Sequence, residues 1–278
     1  MNSAQVIQSN NSFSVVMAIW DNDVPNHLIE AFNSILNQSL QPSEIILVVD
    51  GPVKKSLKKC ILSLAENEIT SILWLPVNKG AGVARNYGIR TASFDYVAIM
   101  DADDISLNTR FEKQMNLLTQ NSFHVVGGWI SEFDDEMCFS HSIRKVPKLH
   151  KEIKKFSNLR SPMNNVTVMF EKKFFLQVGG YGNFRVLEDY CLFLRLLKSS
   201  AKFHNIQQVL VNVRGGDNMI NRRSGLNYMI NELKIIIWFY NEKYLPVSAV
   251  IKQILIKLFL RLLPKYIIRF IYKKTLRN

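Results

Sequence analysis

The chain has 278 residues, of which 47% are hydrophobic and 21% charged, and its net charge is +12 from 35 Lys+Arg against 23 Asp+Glu. That length buries a full core without staples, and Cys60, Cys138 and Cys191 are odd in number, far apart and without C-x-x-C spacing, which argues against a disulfide framework or a structural zinc site and fits a reducing compartment. Met1 to Asn11 is polar, with neither a basic residue nor an apolar run, so it does not read as a signal peptide. Nine cations and no acid lie between Lys243 and Asn278, which leaves the first 242 residues at about +3; the excess belongs to an apolar tail, not to a nucleic-acid-binding face.

In chain order, Phe13–Trp20 is a continuous β-prone run of the kind buried on both faces. Pro25 opens a helix with Leu28, Phe32, Ile35 and Leu36 at helical spacing, closing near Asn37. Glu44–Val49 is a second buried strand, ended by the turn signal Asp50-Gly51-Pro52. A helix over Lys54–Glu66, a short strand over Ile72–Leu75, a helix over Gly82–Thr91 and a strand over Tyr96–Met100 follow. Strands alternating with helices predict parallel βαβ units, and so an α/β sheet whose ligands gather beyond the carboxyl ends of the strands. Asp50, the Asn78 to Gly82 loop and Asp101 to Asp104 each follow such a strand, so all three clusters should share one edge.

Further on, Arg110–Leu118 reads as a helix and His124–Ile130 as a strand whose glycine pair marks a bend or a close approach. Residues 131–165 show no clear period and read as loops. Asn165–Phe170 reads as a strand, Gly179 to Gly182 as a turn, Asp189–Leu197 as a helix with Leu192 and Leu196 inward, and Arg222–Tyr240 as a further helix.

Asp101, Asp103 and Asp104 are the strongest local signal, since carboxylates crowded after an apolar strand stay ionised most easily around a divalent cation. A strand-end turn with Asp104 or Ser106 capping the next helix explains them equally well. They are not an EF-hand, because Ile105 and Ser106 stand where that loop needs an oxygen ligand and a glycine. The stretch from Asn78 to Asn86 (NKGAGVARN) brings Gly80 and Gly82 to the start of a helix, where backbone N–H groups can approach phosphate, and Arg85 adds a guanidinium. It lacks both the Walker G-K-[ST] ending and the dinucleotide-fold arrangement of glycines. Glu188-Asp189 precedes an apolar helix, either as acids favouring its dipole or as the site of a general base.

Taken together, SVVMAIWDN, LVVDG, NKGAGVARN, MDADD, VGGY followed by LEDY, and RGGDNMINRRSG resemble the inverting glycosyltransferases of family 2, specifically those of bacterial amylovoran and O-antigen assembly. The resemblance covers about Phe13 to Gly225 and implies the nucleotide-sugar transferase A-type fold, a single α/β domain with a mostly parallel twisted sheet flanked by helices. It implies a catalytic domain over 12–225, and the composition of the remainder, 226–278, reads as a helical, basic, amphipathic tail.

Carried over residue by residue, Asp50 would accept the uracil N–H, with Asn78 and Gly80 in the same nucleotide loop and Arg85 against the uracil or diphosphate. Asp101 would meet the ribose or uracil side, and Asp103 the Mn²⁺ or Mg²⁺ that bridges the diphosphate, assisted by Asp104 and Asp101. Asp189 would take the acceptor hydroxyl proton, Glu188 would orient a sugar, and Arg222 and Arg223 would close over the diphosphate. Asn165 departs from the pattern, standing where relatives often carry a histidine.

Such a division of acids suits transfer: a metal and arginines stabilise the departing nucleoside diphosphate while one carboxylate serves the attacking hydroxyl. A glycosidase would need two carboxylates flanking one bond. The implied donor is a UDP-sugar, foremost UDP-galactose forming a β-1,3 bond, with UDP-glucose or a UDP-N-acetylhexosamine as alternatives. The implied acceptor is an undecaprenyl-diphosphate-linked sugar. A sugar nucleotidyltransferase would need a glycine- and arginine-rich loop near Ile19–Pro25, which is missing, and the acids argue against a non-catalytic glycan-binding module.

From Val250 to Tyr272 single cations interrupt apolar triplets, too often for a membrane span, and Pro264 should kink or divide the helix. A basic helix with Phe259, Tyr266, Phe270 and Tyr272 suits an anionic membrane surface, hence a peripheral enzyme on the cytoplasmic face of the bacterial inner membrane; the alternative is a terminal helix packed on the core.

Overall fold

The computed structural model describes residues 11–215 and 226–262. Its strands are β1 (Phe13–Ile19), β2 (Glu44–Asp50), β3 (Thr70–Leu75), β4 (Tyr96–Asp101), β5 (Ile105–Ser106), β6 (Val125–Phe133), β7 (Ser140–Arg144), β8 (Met169–Glu171) and β9 (Phe203–Arg214). They form a single sheet in the order β3-β2-β1-β4-β8-β6-β9-β5, with β7 paired to β6. The expected parallel sheet is the β3-β2-β1-β4 half. Beyond β4 the sheet is mixed: β8 runs antiparallel to β4 and β6, whereas β9 runs parallel to β6.

Helices cover both faces, which is why β1 and β2 are apolar at nearly every position. On one face Val15, Met17, Ile45 and Leu47 pack with Leu28, Phe32 and Ile35 of α1 (Pro25–Leu36), Leu57 and Ile61 of α2 (Lys55–Leu64), and Phe111 and Met115 of α4 (Arg110–Gln120). On the other, Val16, Ile46 and Val48 meet Ala84 and Ile89 of α3 (Ala81–Thr91) and, farther along, Phe193 and Leu196 of α7 (Glu188–Lys198). Two amphipathic helix layers therefore bury the sheet from opposite sides.

Residues 131–165 correct the expectation of loops, for they contain β7 and helix α5 (His150–Phe156). β7 is largely exposed and pairs only with β6, and α5 buries only Ile153, so neither element carries the apolar period by which strands and helices are recognised. The expected strand over Asn165–Phe170 divides into a 3₁₀ turn (Asn165–Thr167) and β8. Asn164 and Thr167 hold the turn: Asn164 Nδ2 donates to the Gly128 carbonyl (2.8 Å) and Thr167 Oγ1 to the Asn164 carbonyl (2.7 Å). The glycine pair in β6 does mark a close approach. A Cβ on Gly128 would lie 2.5 Å from Leu210 Cδ1, and the β6–β9 register shifts at this point.

A short helix α6 (Lys172–Gln177) precedes α7, and the chain continues after β9 into α8 (Leu226–Asn241) and α9 (Val247–Leu262). These last two helices form a third cluster with the base of α7: Ile235, Ile236, Phe239, Leu245, Ala249 and Val250 enclose Tyr190, Cys191 and Leu194. The expected kink at Pro264 and the cations from Lys265 onward lie outside the described residues. Phe239 is fully buried with its ring edge-on to Tyr190, 5.1 Å between centroids. Phe239→Ala should cost about 3–5 kcal/mol, read as a lowered urea midpoint of the whole chain; an unchanged midpoint would show that the cluster adds nothing to global stability.

Candidate active site

The carboxyl ends of β2, β3 and β4 bring Asp50, the Asn78–Gly80 loop and the Asp101–Asp104 turn to one edge, as strand order demands. Asp50 is buried and its carboxylate binds that loop: Oδ1 accepts the Lys79 N–H and Oδ2 the Gly80 N–H, both at 2.8 Å. Asn78 Nδ2 donates back to the Asp50 carbonyl at 3.1 Å. Asp50 thus shapes the loop after β3, and its charge is met by backbone donors.

Arg85, on the second turn of α3, lies beneath this edge. Its Nη2 is 2.5 Å from Asp101 Oδ1, its Nη1 is 3.9 Å from Glu188 Oε1, and its guanidinium faces the Tyr181 ring at 5.8 Å. Burial opposes its charge, but Asp101, Tyr181 and Glu188 outweigh burial and raise its pKa. Arg85 Nε has no partner. One buried cation therefore joins the end of β4 to the start of α7.

The three aspartates of the turn separate. Asp101 pairs with Arg85 while its side chain remains one-third exposed. Asp103 is half-buried, and its carbonyl accepts Arg214 Nε at 2.9 Å. Asp104 is buried and turned inward, its Oδ1 accepting the Arg214 N–H at 2.9 Å. Burial, then the charges of Asp103 and Asp101, push the Asp104 pKa well up. Among the described residues no group of three or more His, Cys, Asp or Glu is arranged to hold a metal ion.

Two residues of this edge escape the sequence reading. Arg214 ends β9 and binds the turn at both Asp103 and Asp104, while its guanidinium also reaches the Asp135 carbonyl and, at 2.6 Å, Glu30 Oε2. The one local signal for Arg214 is its place as the first residue of the RGGDNMINRRSG stretch. Asp23, on the loop after β1, accepts the Trp20 N–H at 2.8 Å. Burial and the neighbouring charges of Asp103 and Asp101 push its carboxyl up to about 7.

On the far side of Arg85, Glu188 and Asp189 open α7 behind Leu187, which has left-handed backbone (φ 57°). Asp189 Oδ1 accepts its neighbour's Tyr190 N–H at 2.7 Å, and Oδ2 accepts Ser161 Oγ at 3.4 Å. Burial, followed by repulsion from Asp189, raises the Glu188 pKa, with Arg85 pulling the other way. The close approach of α7 to α3 requires Gly82, where a Cβ would stand 3.0 Å from Glu188 Cγ and 3.3 Å from Tyr181 Cβ. Asn86 completes the joint: its Oδ1 accepts the Tyr181 N–H (2.8 Å) and its Nδ2 donates to the Tyr181 carbonyl (2.9 Å). Asn165 accepts the Tyr181 hydroxyl at 2.8 Å. Arg222 and Arg223 lie outside the described residues.

Of the residues singled out in the sequence, Asp50, Asn78, Gly80, Arg85, Asp101, Asp103, Glu188 and Asp189 thus line one edge, while the Asp104 side chain supports that edge from behind. The arrangement offers an acidic, partly open turn on one side and a carboxylate pair on the other, with a fixed cation between. The carboxylate pair can accept a proton, and the acidic turn would favour an anion only through a cation bound between them.

Comparison with known proteins gives the same direction. The family model described as Glycosyl transferase family 2 matches residues 14–190. A UDP-Gal:alpha-D-GlcNAc-diphosphoundecaprenol beta-1,3-galactosyltransferase of Escherichia coli is 38% identical over 267 residues, covering 96% of this chain and 97% of that protein. The amylovoran biosynthesis glycosyltransferase AmsE of Erwinia amylovora is 33% identical over 94% of this chain and 98% of its own length. Among solved structures, S. aureus TarS 1-349 in complex with UDP-GlcNAc superposes with a TM-score of 0.62 at 16% identity, over 81% of this chain and 66% of that one. That likeness is one of fold, and it is the A-type α/β fold expected of such enzymes. The chain belongs to glycosyl transferase family 2.

Proposed function

We propose that this protein is an inverting hexosyltransferase that moves galactose from UDP-galactose to a sugar on undecaprenyl diphosphate, forming a β-1,3 bond during O-antigen or exopolysaccharide assembly. The observation that carries this reading is the end-to-end relation, 38% identity over 96% of the chain, to an Escherichia coli enzyme named for that reaction. Since the curated relatives described above are glycosyltransferases, transfer is favoured over nucleotidyl transfer or passive glycan binding.

In this reading Asp189 is the general base. The Ser161 hydroxyl and the Tyr190 N–H orient its carboxylate, and the acceptor hydroxyl loses its proton to Asp189 as oxygen attacks the anomeric carbon. Glu188, with a raised pKa, positions a sugar hydroxyl beside it. Arg85 holds Asp101 and Glu188 at a fixed distance from each other. Asp50 builds the nucleotide loop with Asn78 and Gly80, so recognition of the base falls to the loop that Asp50 fixes. Arg222 and Arg223 contribute charge to the diphosphate.

The oxygen donors at the strand-end turn are chemically suited to a hard divalent cation. Asp103, with the remaining oxygen of Asp101, would hold Mn²⁺ or Mg²⁺, whose chemistry is to offset charge on the leaving diphosphate. Asp104 serves this turn from within, through Arg214. In the same reading residues 12–225 are the catalytic domain and 226–278 a basic tail that associates with the cytoplasmic face of the inner membrane; its described helices α8 and α9 pack against α7.

A donor screen with a GlcNAc-α-diphosphate-lipid acceptor should give turnover with UDP-galactose and a β-1,3 product by linkage analysis. Preference for UDP-glucose or a UDP-N-acetylhexosamine would overturn the donor assignment, and diphosphate release in place of UDP would overturn the reaction class. Asp189→Asn should lower kcat by about 10²–10⁴-fold while leaving UDP affinity by calorimetry near that of the parent. Asp103→Ala should abolish the strengthening of UDP binding by Mn²⁺; persistence of that strengthening would remove Asp103 from the metal.

A further inference from the structure

The outer side of α9 carries large apolar side chains in the open. Val247, Ile251, Leu255, Leu258 and Phe259 are 54%, 52%, 62%, 38% and 61% exposed. Their spacing of three and four residues places them on one stripe, about 18 Å long at the helical rise. The opposite side of the same helix is buried, with Ala249, Val250 and Gln253 against the domain. The stripe is therefore a second apolar face on a helix whose core-facing side is already satisfied, and an exposed run of this size marks a contact surface.

We infer that this stripe is the face by which the protein docks on an anionic phospholipid surface, with α9 lying in the plane of the bilayer. The inference rests on the transferase reading only in that a lipid-linked acceptor gives docking its purpose. Charge selects the occupant. Lys252 is exposed beside the stripe, and the chain from Lys243 onward holds nine cations and no acid. A second copy of this chain would bring the same positive charge to the contact, whereas an anionic lipid surface neutralises it. No helix among the described residues is long and apolar enough to cross a membrane, which leaves an in-plane geometry for this face.

The underside of α9 gives docking a place in the chemistry. Gln253 Nε2 donates to the Tyr190 hydroxyl and to the Asn158 carbonyl, each at 2.9 Å. Tyr190 in turn donates to the Ser157 carbonyl and follows Asp189 directly in the chain. The helix laid on the lipid thus rests on the helix that presents the base, so an acceptor whose lipid is embedded in the bilayer has its sugar delivered beside α7.

The test is co-sedimentation of the full chain with vesicles of phosphatidylcholine alone or with added phosphatidylglycerol. The parent should pellet with the mixed vesicles and remain in solution with the neutral ones. Two triple variants, I251S/L255S/F259S and I251E/L255E/F259E, should bind the mixed vesicles at least about tenfold more weakly. Both should keep the parent melting temperature and the parent rate on a short-chain, water-soluble acceptor. Undiminished vesicle binding by both variants overturns the proposal, as does a parent dimer that the variants convert to monomer without any vesicle binding by the parent. Loss of vesicle binding in the variants, alongside a parent that transfers no sugar to the soluble acceptor, would uphold the docking face and sink the transferase reading.

Discussion

The ion pair between the buried Arg85 and the partly exposed Asp101 is the contact on which the site is built. A family of carboxylates converges on one sheet edge, and like charges at that density repel unless cations are built in. Arg85 answers the pair formed by Asp101 and Glu188, and Arg214 answers Asp104 and Glu30. Arg110 lies deeper still, donating to the Ile99 carbonyl at 2.7 Å; burial lowers its pKa, and the fields of Asp101 and Asp104 oppose that fall. Once such a guanidinium is buried, taking away its carboxylate strands a charge in the interior, so each pair is maintained as a unit.

Arg85 also divides the labour of the edge. Asp50, Asn78 and Asp101 come from the parallel half of the sheet, where successive βαβ units place loops by strand order, while Arg214 of β9 braces the Asp103–Asp104 turn from the mixed half. Glu188 and Asp189 come from the chain after the mixed half, where the positions depend on partners distant in sequence: Asn86 on Tyr181, Ser161 on Asp189, Gln253 on Tyr190.

That division explains what could be read in the amino-acid sequence. β1, β2, β4 and their helices are buried on faces wide enough to leave uninterrupted apolar runs, and the clustering of Asp50, Asn78 and Asp101 follows from topology. The 131–165 stretch was opaque because β7 and α5 bury so little that neither shows a period. β9 carries no regular period in the sequence, because its burial alternates irregularly and its register against β6 shifts at the glycine pair. The inward turn of Asp104 was invisible for a different reason: its partner is a backbone N–H 110 residues away, and no local pattern encodes such a bond.

Leu187 carries a lesson for anyone wishing to improve this enzyme. A leucine with φ 57° pays roughly 1–2 kcal/mol for its backbone, and it does so one residue ahead of the acid pair. Its side chain packs into the cluster formed with α8 and α9, which is what keeps the conformation in place. Replacing it with glycine relieves the backbone but gives up that anchorage, so two contributions to stability of opposite sign meet at one residue.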